Sequence, residues 1–122
     1  MIRVFLDANV LFTAAHNPSG KAALIIQLGT KGYWKVVTSA YAIEEARHNL
    51  AIKFPNDLPT LGSVINNVAQ VPSGTGVACP VDLPKKDRPI LQAAIQSKST
   101  HLLTGDIKDF GPYMNQPGLT VG

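Results

Sequence analysis

Ile2-Arg3-Val4-Phe5-Leu6-Asp7-Ala8-Asn9 is a run of β-branched and aromatic residues, broken only by Arg3, that stops abruptly at an acid. Such a run predicts a short strand buried on both faces, as in a parallel sheet. A second stretch has the same design: His101-Leu102-Leu103-Thr104 runs into Gly105-Asp106. Between them, Trp34 to Thr38 is a further strand candidate, and Leu119 to Val121 suits a last edge strand. The segments separating these strands read as helices. Val10 to Ala15 is a short one, and Ser19 is the expected N-cap of another from Lys21, with Ala22, Ala23, Ile25, Ile26 and Leu28 as its stripe. Ser39 caps a third running to about Phe54, with Ile43, Ala46, Leu50 and Phe54 at helical spacing, and Pro55 ends it. Asp57-Leu58-Pro59 opens a fourth, whose face is Leu61, Val64, Ile65, Val68 and Ala69. Asp87 to Lys98 is a fifth, with Pro89 in its first turn. The Gly/Pro-rich stretch from Val71 to Pro84 is an extended connection, with a short strand near Val77-Ala78 and the length of a binding loop. Strands alternating with helices argue for an α/β fold with a mostly parallel sheet.

The composition agrees with that class. The 122 residues suffice for one globular domain, 1–122, and 45% hydrophobic with 16% charged residues excludes a disordered tail or a coiled coil. Eleven Lys and Arg against eight Asp and Glu give +3, a mild bias that permits nucleic-acid binding. One cysteine, Cys79, excludes an internal disulfide framework and a Cys-based zinc site. No segment approaches the roughly 18–20 apolar residues of a membrane span. Asp7 comes too early for a signal-peptide core. The expectation is a soluble, cytoplasmic protein without a membrane partner.

Ligands of open parallel sheets bind at the carboxyl ends of the strands. Asp7 and Asp106, each following a strand, belong at that rim. Glu45, about two turns into the helix after the second strand, and Asp87, opening the fifth helix, can reach it. Asp109 shares a face with Asp106 in one helical turn. Five carboxylates in one cleft repel one another unless a cation joins them. Oxygen-only donors suit Mg²⁺ or Mn²⁺, and such ions activate water for phosphodiester cleavage. Each acid alone also has an ordinary reading: Asp7 and Asp106 as turn formers, Asp87 as a helix cap, Glu45 beside Glu44 as solvated surface. The joint order of strand-end, helical, helix-start and strand-end acid is what carries the argument.

That order closely resembles the PIN domain family of metal-dependent nucleases, best known through the VapC-type toxins of prokaryotic toxin–antitoxin pairs. The matching blocks are Phe5-Leu6-Asp7-Ala8-Asn9-Val10-Leu11, Thr38-Ser39 followed by Glu44-Glu45-Ala46-Arg47, Lys86-Asp87-Arg88-Pro89-Ile90-Leu91-Gln92-Ala93-Ala94-Ile95, and Leu102-Leu103-Thr104-Gly105-Asp106-Ile107-Lys108-Asp109-Phe110. The resemblance implies a three-layer α/β/α sandwich around a central, mostly parallel sheet. It implies that Asp7, Glu45, Asp87 and Asp106 are the catalytic and metal-binding acids, with Asp109 a more variable fifth ligand. Glu45 is preferred to Glu44 because it stands six residues after Ser39, as in the toxin-like pattern. The two point roughly 100° apart on a helix. Asn9 and Thr104 match positions that orient the acids. The implied reaction is hydrolysis of single-stranded RNA by a metal-activated water, leaving a 5′-phosphate and a 3′-hydroxyl. An antitoxin protein and a second copy of the chain are the implied partners.

Lys86, Arg88 and Lys108, with Lys85, flank the acids where they can hold phosphates. Trp34, Tyr33, Tyr41 and Tyr113 can stack bases; Trp34 is expected to pack and Tyr113 is the best stacking candidate. His16, His48 and His101 lack the spacing of a metal triad, Ser39 has no nucleophile-elbow motif, and Gly74-Thr75-Gly76 lacks the Walker pattern. Two rival classes remain: a magnesium-dependent phosphatase of the haloacid-dehalogenase type, which normally needs Asp-x-Asp where this chain has Asn9, and a non-catalytic RNA- or protein-binding module. With five acids assigned to one cleft, only Glu44, Asp57 and Asp82 offset eleven basic residues elsewhere. An acidic pocket on a basic body suits an enzyme that cuts RNA.

Overall fold

Val4, Phe5 and Leu6 are buried, and they form the centre of strand β1, Arg3–Leu6. The computed structural model describes residues 2–71, 88–103 and 120–121, at positions 88, 89, 91, 120 and 121 by backbone alone. The elements after β1 are α1 (Ala8–His16), α2 (Lys21–Thr30), β2 (Lys35–Ser39), α3 (Ala40–Lys53), a 3₁₀ turn (Pro55–Asp57) and α4 (Leu58–Asn66). They continue with β3 (Ala69–Val71), α5 (Arg88–Gln96), β4 (His101–Leu103) and β5 (Thr120–Val121). The strands form one sheet in the order β3-β2-β1-β4-β5, and every pairing is parallel. Parallel neighbours need helical crossovers, and right-handed ones place α1 to α4 on one face and α5 on the other. The fold is thus an α/β sandwich.

Phe5 is in register with Val37 of β2 and Leu102 of β4, and all three are essentially inaccessible. Leu11, Ala14 and Ala15 of α1, Ala42, Ala46 and Leu50 of α3, and Leu61 of α4 join the same core. Small residues at 14, 42 and 46 let α1 and α3 approach closely. Ile90, Ala93 and Ala94 of α5 are fully buried, and this helix packs on β2, β4 and α3.

Several boundaries differ from the sequence expectation, each for a local reason. Ser39 does cap α3, its Oγ accepting the Ala42 N–H at 3.2 Å. The cap of α2 is Gly20 instead of Ser19, because the Gly20 N–H closes a turn onto the Asn17 carbonyl at 3.0 Å and delays the helix by one residue. Phe54 is the C-cap of α3, its backbone already outside the helical region, and leaves the apolar stripe; it is 39% exposed and stacks on His16, with ring centroids 3.9 Å apart. Ala69 belongs to a strand, not to the face of α4, and it is exposed. The β3 segment is three residues long, too short for alternation to show, and is held by backbone pairing to β2. The strand expected near Val77-Ala78 lies outside the described residues.

Candidate functional site

The strand order reverses at β1. Crossovers from β1 run toward β2 on one side, and the return to β4 passes to the other, so β1 and β4 flank the topological switch point at their carboxyl ends. Asp7 stands there. Its backbone N–H extends the ladder by donating to the Leu103 carbonyl of β4 at 3.0 Å. Its carbonyl accepts from the Val10 and Leu11 N–H groups at 3.1 and 3.3 Å, starting α1. Its carboxylate Oδ1 accepts the Ala8 N–H at 2.6 Å, which makes Asp7 the N-cap of α1. The turn-former reading thus holds, and it is compatible with a functional one: the cap fixes where the acid points.

The side chain of Asp7 is 4% exposed. Burying a carboxylate costs several kcal/mol, on the order of the penalty for an ion in a low-dielectric interior, unless donors or cations compensate. The first-turn N–H groups and the positive end of α1 supply part of that compensation. Thr38 supplies rigidity. Fully buried in β2, it donates its hydroxyl to the Leu6 carbonyl at 2.9 Å and so ties down the peptide that carries Asp7. In the sequence, the only signal of this role for Thr38 is a polar residue in an apolar strand.

Phe5 pairs with Val37, so one step beyond Thr38 brings Ser39 level with Asp7 on the neighbouring strand. Ser39 then launches α3, and α1 and α3 pack side by side from this edge. Glu44 and Glu45 lie in the second turn of α3 and separate as the helix geometry requires. Glu44 is exposed and pairs with Arg47 one turn on. Glu45 is half-buried, beside the buried Ala42 and Ala46. Asn9, also half-buried, lies in the first turn of α1, and its carbonyl accepts the Thr13 hydroxyl at 2.8 Å. The edge therefore gathers Asp7, Asn9 and the start of α3. Asp7 and Glu45 are hard oxygen donors, the type suited to Mg²⁺ or Mn²⁺.

Asp87, Asp106, Asp109, Thr104, Lys85, Lys86, Lys108 and Tyr113 lie outside the described residues, as does the side chain of Arg88. Along the chain, Asp87 immediately precedes α5 and Asp106 stands three positions after β4. Among the described residues, no three His, Cys, Asp or Glu side chains gather as a metal site. His48 is exposed on α3, and His101 bonds through Nδ1 to the Thr100 hydroxyl at 2.9 Å. Trp34 is half-buried and donates Nε1–H to the Ile25 carbonyl at 3.1 Å, so it packs as expected. Among the described residues, no helix is long and apolar enough to cross a membrane.

No protein-family model and no curated protein matches the sequence. Solved structures do match the fold. A chain in VapBC2 from Rickettsia felis, bound to a DNA fragment from its promoter, superposes with a TM-score of 0.74 at 15% identity, over 99% of this chain and 98% of that one. DNA-bound VapBC from Salmonella typhimurium gives 0.70 at 13% identity, over 100% and 98%. VapBC-1 from nontypeable Haemophilus influenzae gives 0.63 at 13%, over 99% and 97%. At such low identity the likeness is one of backbone architecture, and it extends over nearly the whole of each chain. The order β3-β2-β1-β4-β5 is thus the fold that this chain shares with chains of these VapBC structures, and here a buried aspartate closes its central strand.

Proposed function

We propose that this chain is a metal-dependent endoribonuclease that hydrolyses single-stranded RNA and serves as the toxin of a toxin–antitoxin pair. The observation that carries the reading is Asp7: a buried carboxylate at the switch point of a VapC-like PIN fold, locked by strand, helix start and the Thr38 hydroxyl. Asp7, Glu45, Asp87 and Asp106 would hold one or two Mg²⁺ or Mn²⁺ ions, with Asp109 as a further ligand. When bound, the ion supplies Lewis-acid stabilisation of the phosphate and lowers the pKa of a water.

The chain's own residues do the positioning. Asp7 is fixed by its cap bond, and Thr38 prevents the preceding peptide from turning, so the acid needs no reorganisation when substrate arrives. Asn9 and Thr104 orient the acids. Lys86, Arg88 and Lys108 neutralise the backbone on either side of the cut, and Tyr113 stacks a neighbouring base. Water attacks phosphorus in line with the departing 3′ oxygen, giving a 5′-phosphate and a 3′-hydroxyl.

The test is incubation of the purified chain with labelled RNA, with Mg²⁺ or Mn²⁺ and with EDTA. Cleavage is expected with the ions, and none with EDTA or in Asp7→Asn. Cleavage that persists in EDTA overturns the metal reading. RNA that is bound yet never cut favours a non-catalytic module. Expressed alone, the chain is expected to arrest growth, and co-expression of an antitoxin to relieve it.

A further inference from the structure

All strands of a parallel sheet start at one edge, and this chain places basic residues there. Arg3 and Lys35 begin β1 and β2 in mutual register. Lys31 lies in the turn entering β2, and Lys98 in the turn entering β4. Lys31, Lys35 and Lys98 are all exposed, and none is in an ion pair among the described residues. The described acids are elsewhere or engaged: Asp7, Glu44 and Glu45 belong to the carboxyl side, and Asp57 accepts from His16 at 2.8 Å. Among the described residues, the edge opposite the candidate active site therefore gathers three lysines outside any ion pair.

Aromatic and apolar surface interleaves with that charge. In Lys31-Gly32-Tyr33-Trp34-Lys35, Tyr33 is 68% exposed between two lysines. The turn holding it is built, not loose. Gly32 adopts φ 93°, the Lys35 N–H bonds to the Ile2 carbonyl at 3.0 Å, and Trp34 is anchored to α2 through Ile25. With Trp34 turned inward, Tyr33 is left facing outward, the two ring centroids 6.4 Å apart. Next to it lies an apolar pocket of about 250 Å³, lined by Ile2, Val4, Ile25, Trp34, His101 and Leu103. Stacking surfaces combined with lysines are how proteins hold single-stranded nucleic acid without reading its sequence.

We propose that this strand-entry edge binds single-stranded RNA, one base stacking on Tyr33 and the adjoining phosphates meeting Lys31 and Lys35. The proposal rests on the ribonuclease reading for its choice of RNA, and it adds an anchoring site remote from the acids. Charge complementarity selects a polyanion over an apolar peptide for the pocket rim, and the exposed ring selects unpaired bases over duplex.

Trp34 is the single tryptophan and lies against Tyr33, so it reports on this edge alone. A short oligoribonucleotide is titrated in EDTA, following Trp34 fluorescence and the anisotropy of a label on the RNA at several salt concentrations. The expected result is a Trp34 signal that saturates with the anisotropy. Tyr33→Ala weakens binding by about 5- to 150-fold with an unchanged salt slope, and Tyr33→Phe restores it. Lys31→Gln with Lys35→Gln makes the slope of log K against log salt shallower by about 1.4. Circular dichroism verifies that each variant is folded. No RNA binding, or binding equal in all variants with a silent Trp34, overturns the proposal. So does a change in sedimentation with Tyr33→Ala, which assigns the face to contact between copies. Cleavage with Mg²⁺ is scored separately: an active enzyme with variant-independent binding sinks only this edge, and variant-sensitive binding without cleavage sinks only the nuclease reading.

Discussion

Asp7, Glu44 and Glu45 are chemically alike, and their surroundings set them apart. Asp7 is 4% exposed and serves as a helix cap, so its replacement has to be chosen to separate chemistry from folding. Asn caps about as well as Asp. Asp7→Asn is therefore expected to abolish RNA cleavage while changing stability by less than about 1 kcal/mol, measured by urea denaturation beside the activity assay. Asp7→Ala loses the cap as well, at a cost of about 1 kcal/mol. The two glutamates make a paired experiment. Glu45→Gln is expected to lower cleavage by at least about 100-fold, the scale of losing one electrostatic group in a site. Glu44→Gln removes an exposed pair with Arg47, worth about 0.3–0.5 kcal/mol, and leaves the rate unchanged. Equal losses in both variants would contradict the assignment. Sequence spacing preferred Glu45, but adjacent positions share composition and helix propensity, and only packing exposes one and half-buries the other.

Elements in this chain begin and end where a cap or a close approach dictates. Ser39→Ala removes the bond to the Ala42 N–H and is expected to cost about 0.5–2 kcal/mol, because the freed N–H is buried at the start of α3. Helix α2 approaches β2 at Gly29, where an added Cβ would stand 2.5 Å from Val36 Cγ2. Val36 is β-branched and buried in a strand, so it has little room to rotate away. Gly29→Ala is expected to destabilise by about 1–3 kcal/mol through overpacking, offset in part by about 1 kcal/mol of helix propensity. Lys98 lies just past α5 with φ 58°, a left-handed conformation that favours glycine. Lys98→Gly is expected to raise stability by about 0.5–1 kcal/mol, read as a higher denaturation midpoint. A fall would show that the Lys98 side chain stabilises this turn. Helices α3 and α5 were legible because capping and a 3.6-residue period are local signals. The three-residue β3 was not, since an edge strand of that length is specified by its partner's backbone.

At the scale of the molecule, folding and metal binding are linked if the acids come together only in the native chain. An ion present at ten times its dissociation constant then stabilises by about 1.4 kcal/mol. Thermal unfolding is expected to shift upward by roughly 5 °C with Mg²⁺ or Mn²⁺ in the wild type, and not in Asp7→Asn. An equal shift in both would place the ion away from Asp7. The basic strand-entry edge and the acidic strand-exit edge also follow from one global fact: a parallel sheet gives all its strands a common start and a common end. By itself, the sequence determined the alternation of strands and helices, the strand-end aspartate and the Ser39 cap. Those depend on contacts within a few residues and are written in periodicity and capping chemistry. Only the tertiary structure decided that β1 stands between β2 and β4, that the Thr38 hydroxyl secures the Leu6 carbonyl, and that the exposed Tyr33 shares the strand-entry edge with Lys98. Those features join positions 30 to 100 residues apart, and burying a shared core, not any local pattern, brings them together.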